Sequence, residues 1–406
     1  MIKKSLLLLC LPVFTLFLPM LFSEETATYR KFADVDIINE IVEANRKLIM
    51  KSLPNFDKKI ANMSKNAFSF LIDSYHLMKL DMETAGELEF LRTAPKGLVV
   101  GDLHMHNFSL IRIEGKEPTY IINDLAQMSP DVPLSFDLFR LAVSMVASFE
   151  KIITRPDLEA ALNEFCNAYL ARAGDPEIFY WPQIPTSPFL SDFIADGGNY
   201  PWEKFIKRTS YAQDFLENYN QLPISKKEKE VVTRLMRCYL KKESIDENAE
   251  PDLKRIVEIA QRYDKELSEV GLRRYFVLLH GDSKLAEDEQ MVEVRIVYTS
   301  SIGETSRITS EWRPGAPLKK QSTPHIGHHN FPWNQRIKRT NITTRSDLSE
   351  FAAMLGFIAA DFHAQSGRGL RMRDWLRKAR KEFITKVFEY TQQMNKDLNL
   401  LQKTTF

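Results

Sequence analysis

The chain has 406 residues, 44% of them hydrophobic and 27% charged, an ordinary globular composition that excludes a disordered chain and a polytopic membrane protein. Its formal net charge is +1, so no global field recruits nucleic acid or an anionic membrane, and any phosphate-handling site must be local. A chain of this length can bury a large core and has room for two or three domains.

At the N-terminus, Lys3 and Lys4 precede an apolar run from Leu6 to Phe22, and Ser23, Glu24 and Glu25 follow. A basic start, an apolar stretch and a small residue before polar sequence predict a secretory signal over residues 1–23. Pro12 and Pro19 argue against a well-formed spanning helix, although an uncleaved inner-membrane anchor is the alternative. Either way the body of the protein is expected outside the cytoplasm, periplasmic or secreted. Beyond that segment only Cys166 and Cys238 remain, too few for a disulfide framework or a zinc site.

From Asp34 to Met82 the apolar spacing is helical, with Ile37, Ile38 and Ile41 and then Phe68, Phe70, Leu71, Tyr75 and Leu77. Gly97 to Val100 is a short buried strand entering Gly101-Asp102, and Tyr120-Ile121-Ile122 is a second one ending in Asn123-Asp124. Helical spacing returns from Leu134 to Phe149. Tyr180 to Trp202, rich in Pro, Gly and aromatics, reads as a long loop, and Lys241 to Asp252 as a charged linker. Arg274 to Leu279, Met291 to Tyr298 and Arg307 to Trp312 read as an antiparallel unit. Helices over Leu348 to Gln365 and Asp374 to Asn395 close the chain.

The chemistry concentrates at the two strand ends. Phosphoryl transfer needs a carboxylate to orient the attacking hydroxyl, and carboxylate and amide oxygens to hold Mg²⁺ on the phosphates. Asp102, Asn107 and Asp124 supply that set. The bland alternative is that Asp102 and Asn107 only satisfy turn backbone. His325, His328 and His329 are a second metal candidate, but Pro324, Gly327 and Pro332 make a solvated loop the better reading.

Val-Val-Gly-Asp-Leu-His-Met-His-Asn-Phe (99–108) with Ile-Ile-Asn-Asp (121–124) resembles the catalytic block of the DUF2252 family, itself similar to aminoglycoside-phosphotransferase-like kinases. The resemblance continues in residues 62–71, in Phe136-Asp137-Leu138-Phe139-Arg140-Leu141-Ala142, in residues 270–279, and in Phe362-His363-Ala364-Gln365-Ser366-Gly367. It implies an α+β, predominantly helical, protein-kinase-like fold of two lobes in permuted order. A helical lobe over 30–260 would carry the catalytic loop, a small antiparallel sheet and return helix would occupy 261–370, and a C-terminal helix 371–406. It implies Asp102 as catalytic base, His104 ordering the loop, Asn107 and Asp124 as metal ligands, and Asp137, Arg140 and His363 in support. Gly271, Arg273 and Arg295 would meet a nucleotide, ATP or another, with Mg²⁺; the partner would be a small-molecule substrate, with no nucleic acid.

The chain also departs from that family's pattern. Arg295 replaces a lysine, Ala126 stands where an acid is expected, Ile72-Asp73 replaces Arg-Gly, and the stretch Lys265 to Gly271 that enters the covering hairpin has glycine only at Gly271. Two other readings follow. A kinase-like binding protein that has lost transfer would explain the weakened nucleotide end. A metallophosphoesterase-like hydrolase would use Asp102-Leu103-His104 as its opening, but the later metal blocks of that chemistry are missing.

Overall fold

The computed structural model describes residues 32, 35–46, 53–111, 119–122, 128–175, 188–198, 224–243, 250–261, 274–280, 290–296, 325–329, 336–364 and 366–404. The predicted N-terminal signal, Asp124, Gly271, Arg273 and the strand expected at Arg307 to Trp312 lie outside them. The fold is α+β and mostly helical. Among the described residues no helix is long and apolar enough to cross a membrane.

Among the described residues the first helices are α1 (Ile37–Ala44), α2 (Leu53–Met63), α3 (Ala67–Asp73) and α4 (Tyr75–Thr84). Local chemistry sets their starts. Asp36 Oδ1 accepts from the Ile38 and Asn39 amides at 2.9 and 3.1 Å, and Asn66 Oδ1 accepts from Ser69 N at 2.9 Å. A single turn, α5 (Glu89–Arg92), leads to β1 (Lys96–Val99), and β2 (Phe108–Ile111), β3 (Thr119–Ile122) and β4 (Ser129–Pro133) follow. These four strands form two antiparallel pairs, β1 with β4 and β2 with β3. The two strands legible in the sequence are therefore not neighbours; each pairs with one whose pattern was too short to read.

The helices α6 (Ser135–Phe149), α7 (Arg155–Ala173), α10 (Arg345–Ala364) and α11 (Gly369–Lys403) form the body of the larger core. Every residue of α6 is buried, so it is the central helix. The helices α7 and α10 pack at close range because α10 has Gly356 at the crossing. A Cβ there would stand 2.2 Å from the backbone oxygen of Phe165.

A smaller core lies between α9 (Lys226–Glu243) and a four-stranded antiparallel sheet. The strands run in the order β5 (Ile256–Gln261), β6 (Arg274–Leu279), β7 (Gln290–Ile296) and β8 (His325–His329). Helix α9 contributes Val232, Met236, Tyr239 and Leu240, one helical face, and the sheet contributes alternating Tyr275, Val277 and Leu279 with Val292 and Val294. Residues 261–370 thus divide between two cores: the sheet shares its core with α9, whereas α10 packs in the larger one.

Three local expectations are corrected. The span 180–202 contains helix α8 (Pro188–Gly198), whose Leu190 is buried in the larger core. The charged stretch after 241 begins as the last turn of α9. His325–His329 is an edge strand paired with β7, because β-ladder pairing (Val292↔His329 to Ile296↔His325) overrides the loop signal of the flanking prolines.

Helices α2 to α4 enclose a polar cluster. Asp73 is 4% exposed; its Oδ2 accepts from Asn62 Nδ2 at 2.8 Å, and Lys65 Nζ donates to Asn62 Oδ1 at 2.8 Å. Burial pushes the Asp73 carboxyl up against the opposing pull of Lys59. Burial, and then the Lys59 charge, lower the His76 imidazole to about 4.

Two outcomes follow from this packing. Gly356→Ala should destabilise the protein by about 2 kcal/mol or more through the forced separation of α7 and α10, read as a lowered thermal midpoint; an unchanged midpoint would contradict the close crossing. A histidine whose folded pKa is depressed contributes stability that is complete above its unfolded pKa and is lost as pH falls toward the folded one. Between pH 7 and 5 the parent should therefore lose about 2 kcal/mol more than His76→Phe in urea unfolding; parallel losses would show that His76 is not held neutral.

Candidate functional site

The loop from Val100 to Asn107 lies along one stripe of α6. After its first residue, Ser135, that helix is apolar except for Asp137, Arg140, Ser144 and Ser148, which recur at spacings of three and four and so share a face. Three of them, one per turn, bond to the loop. The Asp137 carboxylate accepts from Val100 N at 2.6 Å and Gly101 N at 2.9 Å. The Arg140 guanidinium donates to Asp102 Oδ1 through Nε at 2.7 Å and through Nη2 at shorter range. Ser144 Oγ accepts from Met105 N at 3.1 Å.

The loop also braces itself. Gly101 has φ of 91°, a conformation that favours glycine and turns the chain out of β1. His104 and Asn107 form a reciprocal cap: Asn107 Oδ1 accepts from His104 N at 2.7 Å, and His104 Nδ1 accepts from His106 N at 3.2 Å. Because Nδ1 is the acceptor, a neutral His104 carries its proton on Nε2, which stands 3.9 Å from Asp102 Oδ2. Phe68 from α3 covers the loop, its ring centroid 4.4 Å from that of His106 and 6.0 Å from that of His104.

Behind the loop Asp137 meets a second layer. His363 Nε2 of α10 lies 3.3 Å from Asp137 Oδ2, and His363 Nδ1 lies 2.9 Å from the Tyr169 hydroxyl of α7. Burial, reinforced by the Asp137 charge, keeps the Tyr169 phenol well above its ordinary pKa, so it retains its proton. A neutral His363 with its proton on Nε2 accepts from the Tyr169 hydroxyl and donates to Asp137. One turn along, Arg172 and Asp361 form a buried ion pair between the same two helices.

Arg140 is fully buried, whereas the Asp102 side chain keeps 28% of its exposure. The guanidinium also donates to Leu71 O at 3.2 Å and lies 4.7 Å from the Tyr75 ring centroid. Burial, then the Asp102 charge, raises the Tyr75 phenol well above its usual range, and its buried hydroxyl has no hydrogen-bond partner among the described residues.

Residues 54–176, which contain this loop and most of its supports, match a family model. That family is DUF2252, described as an uncharacterized protein conserved in bacteria. No curated protein and no solved structure matches the chain.

Of the residues singled out from sequence, Asp102, His104, Asn107, Asp137, Arg140 and His363 converge within one loop and its supports. Asp137 acts more directly than expected, bonding the loop backbone itself. Arg295 lies in β7, opposite Arg274 on one side and Ile326 on the other. Among the described residues no group of three His, Cys, Asp or Glu side chains is placed to hold a metal ion, so Asp102, His104 and His106 do not form one despite their alternate spacing. The sequence reading missed Ser144, Tyr169, Tyr75 and Phe68. The polar stripe in an apolar helix was available as a signal for Ser144; the others are long-range partners with no local mark.

Asp137→Asn should replace an acceptor of two charge-assisted bonds by a weaker group, costing about 2–3 kcal/mol. The specific readout is amide hydrogen exchange at Val100 and Gly101, which should accelerate more than exchange in α7. Unchanged protection of those two amides would contradict the anchoring role.

Proposed function

We propose that the Val100–Asn107 loop is the reaction centre of a Mg²⁺-dependent phosphotransferase that acts on a small-molecule hydroxyl, on a two-lobed, kinase-like framework of permuted order. The observation that carries this reading is the contrast between the loop and its one reactive group. The loop is held at three successive turns of α6, while Asp102 alone among its anchored side chains keeps substantial contact with solvent. Such preorganisation is what positioning a hydroxyl requires.

In this reading Asp102 orients and deprotonates the acceptor hydroxyl through Oδ2, the oxygen not used by Arg140. The His104 Nε2–H, 3.9 Å away, would stabilise the carboxylate in that orientation. Asn107 and Asp124 would hold Mg²⁺, which would draw charge from the transferring phosphate. The fit is partial on the described residues. Asn107 is 5% exposed and spends one lone pair of Oδ1 on His104 N, leaving the second for a ligand. The register Phe108↔Ile122 supports the pairing with Asp124, since the chain leaves β3 directly across from the residue after Asn107. The nucleotide would meet Gly271, Arg273 and Arg295, and the apolar run at residues 6–22 would direct the chain to the periplasm or beyond.

A second reading, a kinase-like binding protein without transfer, draws on the Arg140–Asp102 pair. A carboxylate engaged by a buried guanidinium is a poorer proton acceptor than a free one, and breaking the pair would strand a buried charge.

Thermal-shift measurements on the full chain separate these. The transferase reading expects stabilisation by ATP or GTP with Mg²⁺, its loss in Asp124→Ala, and its retention in Asp102→Asn, which keeps an acceptor for Arg140. Stabilisation by Mn²⁺ or Zn²⁺ alone, with no nucleotide effect, would instead favour a metal-dependent hydrolase. No response to any of them would favour the binding protein.

A further inference from the structure

The last helix, α11, concentrates positive charge at its start. Seven cations lie between Arg368 and Lys381, against one acid, Asp374. Two are used in the fold: Arg373 bonds to Asp374, and Arg380 donates to Asn163 and Asn167 of α7. The other five, Arg368, Arg371, Arg377, Lys378 and Lys381, are exposed, and none forms an ion pair with a described residue. Leu370 stands among them with 54% of its surface exposed. Stability does not explain this placement. The first turn of a helix favours acids, because its free N–H groups carry partial positive charge, yet that turn in α11 contains no acid.

We propose that this face of α11 docks on the surface of an anionic phospholipid bilayer, with Leu370 entering the headgroup boundary and the surrounding cations meeting lipid phosphates. Charge complementarity selects an anionic partner, and an apolar side chain flanked by long cationic ones suits a lipid interface. Leu370, exposed among these cations, selects a lipid interface over a polyanion that offers no apolar phase. This docking is independent of the reaction assigned to the Val100–Asn107 loop.

The test is vesicle flotation of the full chain, with phosphatidylcholine alone and with phosphatidylglycerol added. The proposal expects about tenfold or greater preference for the mixed vesicles, abolished by high salt and by the combined Arg371→Glu, Lys378→Glu and Lys381→Glu change. Leu370→Ser should weaken binding to mixed vesicles while leaving the salt dependence. Should the triple variant not fold, the neutralising pair Arg377→Gln and Lys381→Gln should still reduce the preference. Equal binding of the parent to both vesicles, or a preference undiminished in folded variants, would overturn the proposal. So would tighter binding to duplex DNA than to the mixed vesicles.

Discussion

The polar stripe of α6 is the constraint on which the site depends. A helix with every residue buried can carry Asp137, Arg140 and Ser144 only if each finds a partner, since an unpaired buried charge costs several kcal/mol. The partners are the amides of Val100, Gly101 and Met105 and the carboxylate of Asp102. Loop and helix therefore specify each other. The loop gains a fixed path with only a 3₁₀ turn, Met105–Asn107, as regular structure, and the helix gains the right to be polar along one edge. His363 and Tyr169 extend the same logic to α7 and α10, so the packing of the larger core is transmitted to the loop through hydrogen bonds rather than through apolar contact alone.

That arrangement leaves a tension at Asp102. It is the group best placed to act on a substrate, yet it also neutralises Arg140, which has no exposure of its own. One oxygen serves structure and the other stands 3.9 Å from His104 Nε2. A catalytic base that shares a carboxylate in this way is tied to the integrity of the core behind it. Changes at Met78, Tyr75 or Leu71, which surround the guanidinium, would be felt at the site.

Much of this was legible in the sequence where the signal is local. Helical periodicity located α1 to α4, α6, α10 and α11 because amphipathic or fully apolar spacing survives in any context. The buried strands β1 and β3 announced themselves as short apolar runs ending in Gly-Asp and Asn-Asp. Their partners β2 and β4 did not: Ser129-Pro130-Asp131-Val132-Pro133 has no strand pattern and takes its strand conformation in pairing with β1. His325–His329 misled for the same reason, since an edge strand takes its conformation from its neighbour. At the site, the sequence displayed Asp102, His104 and Asn107, but which atoms they engage depends on contacts 36 to 39 residues away, at Asp137, Arg140 and Ser144. Tyr169 and His363 are 194 residues apart, and nothing in either segment names the other.

Phosphorus NMR of ATP incubated with the full chain and Mg²⁺ puts the loop's chemistry to the most direct test. A transferase built around Asp102 predicts loss of the γ-phosphate signal with matching growth of ADP, accelerated by hydroxyl-bearing acceptors and absent in a folded Asp102→Asn protein. An ATP spectrum that stays unchanged across acceptors, or turnover that survives Asp102→Asn, would contradict it.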